Sequence, residues 1–202
     1  MNTGDTAFMI ISAALVFFMT PGLAFFYGGL VRRKNVCNTM MACVAIMGIS
    51  VVMWALFGYS LSFGGNHGGI IGDFRWLGLN GVGMEAGPYA DNIPHLVFCA
   101  FQMMFAMITP ALITGSLVGR MRFKALFLFV ALWSIIVYYP LAHMVWGEGG
   151  FLAAIGSVDF AGGDVVHISS GISAVVLAVI LGRRRGYEHT TYRIHNIPFV
   201  VL

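Results

Sequence analysis

Charged residues are scarce in this sequence, and their scarcity excludes an ordinary soluble fold. The chain has 202 residues, of which 9% are charged and 59% are hydrophobic. A typical soluble domain carries roughly 25% charged residues, because charge covers its water-facing surface. With so little charge, the chain must present apolar surface to lipid. An integral membrane protein is therefore predicted.

Cysteine and clustered positive charge are also lacking. Cys37, Cys43 and Cys99 form no C-x-x-C pair, so neither a zinc site nor a redox dithiol is predicted. The net charge of +3 comes from scattered basic residues and does not form a patch suited to nucleic acid. The sequence therefore indicates no metal, no cofactor, no nucleic-acid partner and no enzyme.

Long runs without charge locate the membrane spans. Such runs cover 6–31, 35–72, 92–119, 125–147 and 165–182. A helix needs about 20 apolar residues to cross the hydrocarbon core. The sequence thus predicts an all-α membrane protein with five transmembrane helices at about 7–31, 37–63, 93–118, 124–146 and 165–182. From about residue 195 a sixth helix is expected to begin, and it is too short to span, which suggests a truncated chain.

The charges are sorted between the loops, and the sorting predicts an orientation. Ten of the eleven basic residues follow helices 1, 3 and 5, namely Arg32, Arg33, Lys34, Arg120, Arg122, Lys124, Arg183, Arg184, Arg185 and Arg193. Basic loops stay in the cytoplasm. The N-terminus is therefore expected outside and the end of helix 5 inside, in a multi-pass protein of the cell (inner) membrane. The glycine-rich loop 64–92 is expected to form a compact outer cap.

Histidine within a span is a candidate functional residue, because ionisable groups are costly in lipid. His167 precedes a run of small residues, so it is expected on a tightly packed face. There it could line a pore or relay protons, or it could form a hydrogen bond between helices. His95 and His143 are expected to be structural, each satisfied by a backbone carbonyl freed by proline. Pro21, Pro110 and Pro140 are expected to kink their helices.

Each of the aromatic and acidic residues singled out in and near the spans has two possible roles. Phe101 and Phe105 are one helical turn apart and could pack in the core or form a hydrophobic gate. Trp146 could belong to the interfacial aromatic belt or bind a cation through its ring. Asp164 could stabilise a protonated His167, but we favour a role as the N-cap of helix 5.

Four stretches in order resemble the ammonium transporter (Amt/Mep/Rh) family. They are PGLAFFYGGLVRRKN at 21–35, FQMMFA at 101–106, AHMVWG at 142–147 and DFAGGDVVHISSG at 159–171. The resemblance extends over the whole chain and identifies 1–202 as the N-terminal half of such a transporter. It implies an eleven-helix fold with two inverted five-helix repeats, assembled as a homotrimer in which each protomer has its own apolar pore.

The resemblance also implies roles for particular residues. Trp146 and Phe105 resemble the outer site that recruits ammonium, and Phe101 with Phe105 resembles the gate. His167 resembles the first of two pore histidines that relay protons. Asp159 resembles the aspartate that supports the outer site structurally and electrostatically. A PII-type regulatory protein at the cytoplasmic face is a further partner that the resemblance implies.

The length departs from the family pattern, and this leaves other functions open. The second pore histidine and the outer-site serine would lie in a missing second half, so the pore is expected to be incomplete. The alternatives are an ammonium sensor that signals through a cytoplasmic partner and an inactive fragment. A haem protein using His95, His143 and His167 ranks last, because no paired intrahelical spacing is present.

Overall fold

Five helical segments dominate the structure. The computed structural model describes residues 1–184, 187–189, 191 and 193–202. Arg185, one of the residues used for the orientation, lies outside these. Among the described residues, five segments are long and apolar enough to cross a membrane. We number them spans 1 to 5: Thr3–Leu30, Arg33–Phe63, His95–Leu117, Phe123–Ala154 and Gly163–Leu181.

Each span consists of one or more regular elements. The α-helices are α1 (Thr3–Leu30), α2 (Val36–Met53), α3 (Tyr59–Phe63), α4 (His95–Leu117), α5 (Phe123–Trp133), α6 (Tyr139–Trp146), α7 (Phe151–Ala154), α8 (Ser169–Leu181) and α9 (Ile197–Val201). Two short antiparallel strands, β1 (Ala86–Gly87) and β2 (Ala90–Pro94), pair in the loop after span 2. This hairpin has no counterpart in the all-α expectation.

The first helix begins at Thr3, four residues before the predicted start. Asn2 is the reason, because its side-chain oxygen accepts hydrogen bonds from the backbone N–H groups of Gly4 and Asp5 at 2.8 and 3.3 Å. A cap of this kind satisfies donors that a helix start leaves without partners. The backbone of Asn2 also donates to the carbonyl of Asn92 at 2.7 Å, which joins the chain start to β2.

Three spans contain a π-helical segment that the sequence pattern does not reveal. These segments are Trp54–Gly58 in span 2, Ser134–Tyr138 in span 4 and Gly163–Ile168 in span 5. Pro140 is the second residue after the end of the second segment, whereas Pro21 and Pro110 lie inside helices that continue past them. A π segment inserts an extra residue into a turn and so rotates the faces of the helix that follows.

Aromatic side chains of spans 2 and 4 form much of the core. Trp54, Tyr59, Tyr138 and Tyr139 are each at most 1% exposed. The indole N–H of Trp54 donates to the carbonyl of Cys99 at 3.2 Å, so its polar atom is satisfied inside the core. Around this core α1 packs on α2 and α4, α4 packs on α8, and α3 packs on α6. The outer faces remain apolar and exposed, as lipid contact requires.

The loop 64–92 is compact, as the sequence predicts. The Tyr89 hydroxyl donates to the carbonyl of Phe63 at 2.8 Å, and Trp76 stacks on Tyr59. Asp73 forms an ion pair with Arg75 at 3.0 Å. Burial raises the pKa of Asp73, but hydrogen bonds from the Arg75 amide and guanidinium more than offset it, so the pKa lies below its usual value. The loop is therefore fixed over the end of span 2.

The expected sixth helix begins as α9, and it packs on span 1. Asn196 caps it by accepting a hydrogen bond from the N–H of Phe199 at 3.4 Å. The N–H groups of His195 and Asn196 donate to the carbonyl of Gly29. Phe199 meets Phe25 edge-on, with ring centroids 5.4 Å apart. The end of span 1 thus provides the surface on which the next segment starts.

Candidate functional site

The start of span 5 is organised by the carboxylate of Asp159. One oxygen accepts hydrogen bonds from the N–H groups of Gly162 and Gly163 at 2.6 and 2.8 Å. The other accepts from the N–H groups of Asp164 and Val165 at 2.9 and 3.0 Å. The N-terminus of a helix leaves four such donors without partners and carries a partial positive charge. A single carboxylate therefore satisfies this terminus chemically and electrostatically.

The expectation that Asp164 caps this helix is wrong. Its carboxylate accepts a hydrogen bond from the hydroxyl of Ser157 at 2.8 Å, while Asp159 accepts from the helix N–H groups. The physical reason is the turn at Gly162, whose φ of +91° folds residues 159–162 back over the helix start. Glycine adopts this left-handed conformation without steric cost. The spacing of Asp164 from His167 could not reveal that turn.

Trp146 connects the start of span 5 to span 3. Its indole N–H donates to the backbone carbonyl of Asp159 at 3.1 Å. Its ring lies 6.1 Å from that of Phe105, and Phe105 meets Phe101 edge-on at 5.1 Å. The structure thus brings Phe101, Phe105, Trp146 and Asp159 into one continuous line of contacts. All four side chains are half-buried, so each retains an exposed face.

His167 lies on an exposed face of span 5, and the expectation of a tightly packed face is wrong for this chain. Ser169 is buried on the other side of the helix. Two residues along a helix are separated by about 200°, so His167 and Ser169 point in nearly opposite directions. Exposed apolar residues continue the His167 face along α8: Ile168, Ile172, Val175 and Val179. The described residues form no hydrogen bond with the imidazole.

His95 and His143 are buried, and their hydrogen-bond partners differ from the expected carbonyls freed by proline. His95 is hydrogen-bonded through Nε2 to the hydroxyl of Tyr59 and not to a carbonyl freed by proline. Nδ1 of His143 lies 3.1 Å from the carbonyl oxygen of Ser62. That carbonyl is near the end of α3, where helix carbonyls lack intrahelical partners. A helix end, and not a proline, supplies the acceptor.

Sequence reasoning missed the cluster that surrounds these histidines. The ring of Trp76 lies 4.8 Å from that of His95 and stacks on Tyr59 at 5.3 Å. Asn66 lies 3.4 Å from His143 Nε2, and its amide donates to the carbonyl of Gly149 at 2.9 Å. No spacing rule joins these positions, because the loop that carries Trp76 and Asn66 has no regular period.

A family model and curated relatives match this chain over nearly its whole length. The model of the Ammonium Transporter Family matches residues 7–202. The ammonium transporter of Bacillus subtilis (strain 168) is 50% identical over 202 residues, which are all of this chain and 49% of that protein.

Two solved structures share the fold. The crystal structure of Saccharomyces cerevisiae Mep2 has a TM-score of 0.87 at 33% identity, over 97% of this chain and 45% of Mep2. A sensor Amt protein has a TM-score of 0.84 at 27% identity, over 97% of this chain and 50% of that chain.

These matches establish the fold class and show how much of each relative the chain covers. It spans about half the length of the curated relatives and solved structures it matches. The predicted fold class, five transmembrane helices of this transporter fold followed by the start of a sixth, is confirmed. The chain is thus an integral multi-pass membrane protein. Because the family model and the sequence identity extend over nearly its whole length, this chain belongs to the ammonium transporter family.

Proposed function

We propose that this chain forms one wall of a path that moves ammonium or ammonia across a membrane. The observation that carries the proposal is the line of contacts from Phe101 through Phe105 and Trp146 to Asp159. This line ends at the start of the helix that carries His167. An aromatic mouth at the start of a helix that carries an exposed imidazole suits a small cation that must lose its water and its proton.

The proposed mechanism begins at Trp146. Ammonium has N–H donors and a positive charge, so an aromatic face can replace part of its hydration shell. Trp146 and Phe105 recruit the ion, and Phe101 with Phe105 forms a gate that excludes water and hydrated metal ions. Beyond the gate an apolar path penalises charge. Transfer as neutral ammonia is then easier, with the proton passed to the imidazole of His167.

Asp159 supports this site without contacting the substrate. Its carboxylate is occupied by four backbone N–H groups, and its carbonyl accepts from Trp146. We therefore assign it two effects: it fixes the orientation of the indole, and it places a negative charge close to the mouth. Both favour an arriving cation.

The exposed face of His167 supports a two-walled path. In transporters built from inverted repeats the substrate path lies between the repeats. We propose that a second repeat covers this face and completes the pore. Assembly as a homotrimer, docking of a PII-type protein on the basic side, an outside N-terminus and location in the inner membrane belong to the same proposal.

The test is uptake into proteoliposomes that contain the purified protein together with the second repeat that we propose completes the path. An inward ammonium gradient should drive uptake coupled to proton movement. His167→Ala should abolish or uncouple it, because no imidazole remains to exchange the proton. The matched control is His67→Ala, since His67 is an exposed histidine of the outer loop and not of the path. Proton-coupled uptake that is unchanged in His167→Ala refutes the assigned role.

A second candidate function is ammonium sensing. It is favoured by the structural match to a sensor Amt protein, which covers 97% of this chain. A sensor would bind ammonium at Trp146 and Phe105 and signal through a partner on the basic side. The same proteoliposomes distinguish a transporter from a sensor. A sensor is indicated if the parent protein binds ammonium without any uptake and Trp146→Leu removes that binding.

A further inference from the structure

Three basic segments that are far apart in the sequence meet on one face of the molecule. They are the turn between spans 1 and 2, the turn between spans 3 and 4, and the residues after span 5. Together they surround a cavity of about 660 Å³. Its basic lining residues are Arg32, Lys34, Arg120, Arg122, Arg183 and Arg184. The positive charge of three separate loops is thus gathered around a single space.

This cavity has no acidic lining in the part of the chain that the structure describes. Glu188 forms an ion pair with Arg183 at 3.1 Å, and both side chains are largely exposed. Lys34 and Arg122 are exposed, and neither is given a partner by the described residues. Cations held this close repel each other, and a bound anion would relieve that repulsion. The cavity is thus electrostatically suited to an anion.

One wall of the cavity is anchored. The guanidinium of Arg120 donates from Nη1 to the carbonyl of Ala178 at 3.3 Å and to that of Gly182 at 2.9 Å. These carbonyls lie at the end of α8, where a cation is favoured by the helix dipole. The bonds join the turn after span 3 to the end of span 5. Arg120 is therefore held in position before any ligand arrives.

The cavity also continues into an apolar one. A neighbouring space of about 400 Å³ shares Arg32, Asn35, Gly119 and Arg184 with it. Beyond these shared residues it is lined by Arg193 and, for the most part, by side chains of the spans, among them Tyr27, Leu30, Leu112 and Ala174. A basic space that opens into an apolar one, at the level where spans end, matches a molecule with an anionic head and a hydrocarbon chain.

We propose that the basic cavity binds the phosphate group of an anionic membrane lipid, with part of an acyl chain in the neighbouring apolar space. Guanidinium groups pair with phosphate oxygens through two parallel N–H bonds. Basic pockets between transmembrane helices bind such headgroups. A free phosphate has the same chemistry as the headgroup but would leave the neighbouring apolar space unfilled. We therefore favour the lipid.

The experiment measures lipid binding to the purified protein in detergent. Dioctanoyl phosphatidylglycerol is the anionic probe, and dioctanoyl phosphatidylcholine is the zwitterionic reference. The double variant Lys34→Gln/Arg122→Gln removes two cavity charges that hold no structural contact. It should weaken phosphatidylglycerol binding about tenfold or more, since each basic residue near a membrane surface attracts anionic lipid appreciably.

A matched control removes the same charge from the same side. Arg33→Gln/Lys124→Gln changes two exposed basic residues that do not line the cavity. It should alter phosphatidylglycerol binding less than twofold. Equal losses in the two double variants would mean that only net charge matters and would overturn the proposal. Equal affinity of the parent protein for both lipids would overturn it as well.

A third measurement uses inorganic phosphate to distinguish a lipid headgroup from free phosphate as the ligand. If inorganic phosphate fails to displace phosphatidylglycerol at millimolar concentration, the lipid as a whole is recognised, as proposed. If it displaces the lipid and binds alone with the same dependence on Lys34 and Arg122, the cavity is a site for soluble phosphate, and the lipid assignment is overturned.

Discussion

At the scale of single residues, one carboxylate determines how span 5 begins. Asp159 lies outside the helix but accepts hydrogen bonds from the N–H groups of residues 162–165. Its backbone carbonyl meanwhile holds Trp146. A residue that stands four positions before the first helical residue thus controls both the helix start and the orientation of the proposed recruiting indole. Its side-chain and main-chain bonds are separable by mutation.

Replacing this carboxylate should destabilise the protein in proportion to the donors that lose a partner. Asp159→Ala leaves all four N–H groups without a side-chain acceptor and should cost about 2 kcal/mol of unfolding free energy, the upper end for a helix cap. Asp159→Asn retains one acceptor oxygen and should cost less. Thermal unfolding in detergent measures both. Glu85→Ala, which removes an exposed acid of the outer loop, is the control and should leave the midpoint unchanged.

If Asp159→Asn and Asp159→Ala unfold at the parent temperature, the carboxylate has no capping role. A loss of uptake without any loss of stability would instead indicate a purely electrostatic effect on the arriving cation.

At the scale of elements, the contact between spans 2 and 4 depends on a glycine. Gly58 ends the π-helical segment of span 2, and Tyr139 begins α6 directly after that of span 4. A Cβ atom built at Gly58 would lie 2.6 Å from the Tyr139 ring, and Tyr139 is 1% exposed. The two spans can approach this closely only because position 58 has no side chain.

The same substitution at two glycines of span 2 should therefore have opposite effects. Gly58→Ala forces the buried Tyr139 ring to move and should cost about 1–3 kcal/mol, as overpacking does. Gly48→Ala should be neutral or stabilising, because nothing lies within 4 Å of the added atom and alanine favours a helix. Unfolding midpoints of the two variants give the comparison. Equal midpoints would show that the packing at Gly58 tolerates a methyl group.

At the scale of the whole molecule, the sorted charges predict how the protein lies in its membrane. Nearly all basic residues lie at the ends of spans 1, 3 and 5, and the compact loop 64–92 lies at the opposite ends. Because basic loops are retained in the cytoplasm, we expect the loop 64–92 outside. The proposed recruiting site and the basic cavity would then face opposite compartments.

Labelling with a membrane-impermeant maleimide in intact cells tests this orientation. In a Cys37→Ser background, Glu85→Cys should react from outside, whereas Arg33→Cys should react only after permeabilisation. Both positions are exposed, so their access to the reagent differs only by side. Cys43 and Cys99 are buried and should not react in either condition. The reverse labelling pattern would contradict the predicted orientation.

The sequence by itself determined the number of spans, the sorting of charge and the family. These properties depend on composition within short windows and on the cost of placing charge in lipid, so they can be read locally. The described residues contain five spans, and spans 3 and 5 have limits within two residues of those predicted from charge-free windows. Spans 1 and 2 begin four residues earlier than predicted, and span 4 ends eight residues later.

Only the tertiary structure decided which groups meet. It assigned the helix cap to Asp159 and not Asp164, the acceptor of His143 to Ser62, and an exposed face to His167. It also gathered three basic loops around one cavity. The physical reason is that π-helical segments and a left-handed glycine change the rotation of helix faces. A periodic pattern assumes a constant rotation and therefore cannot reveal contacts between distant segments.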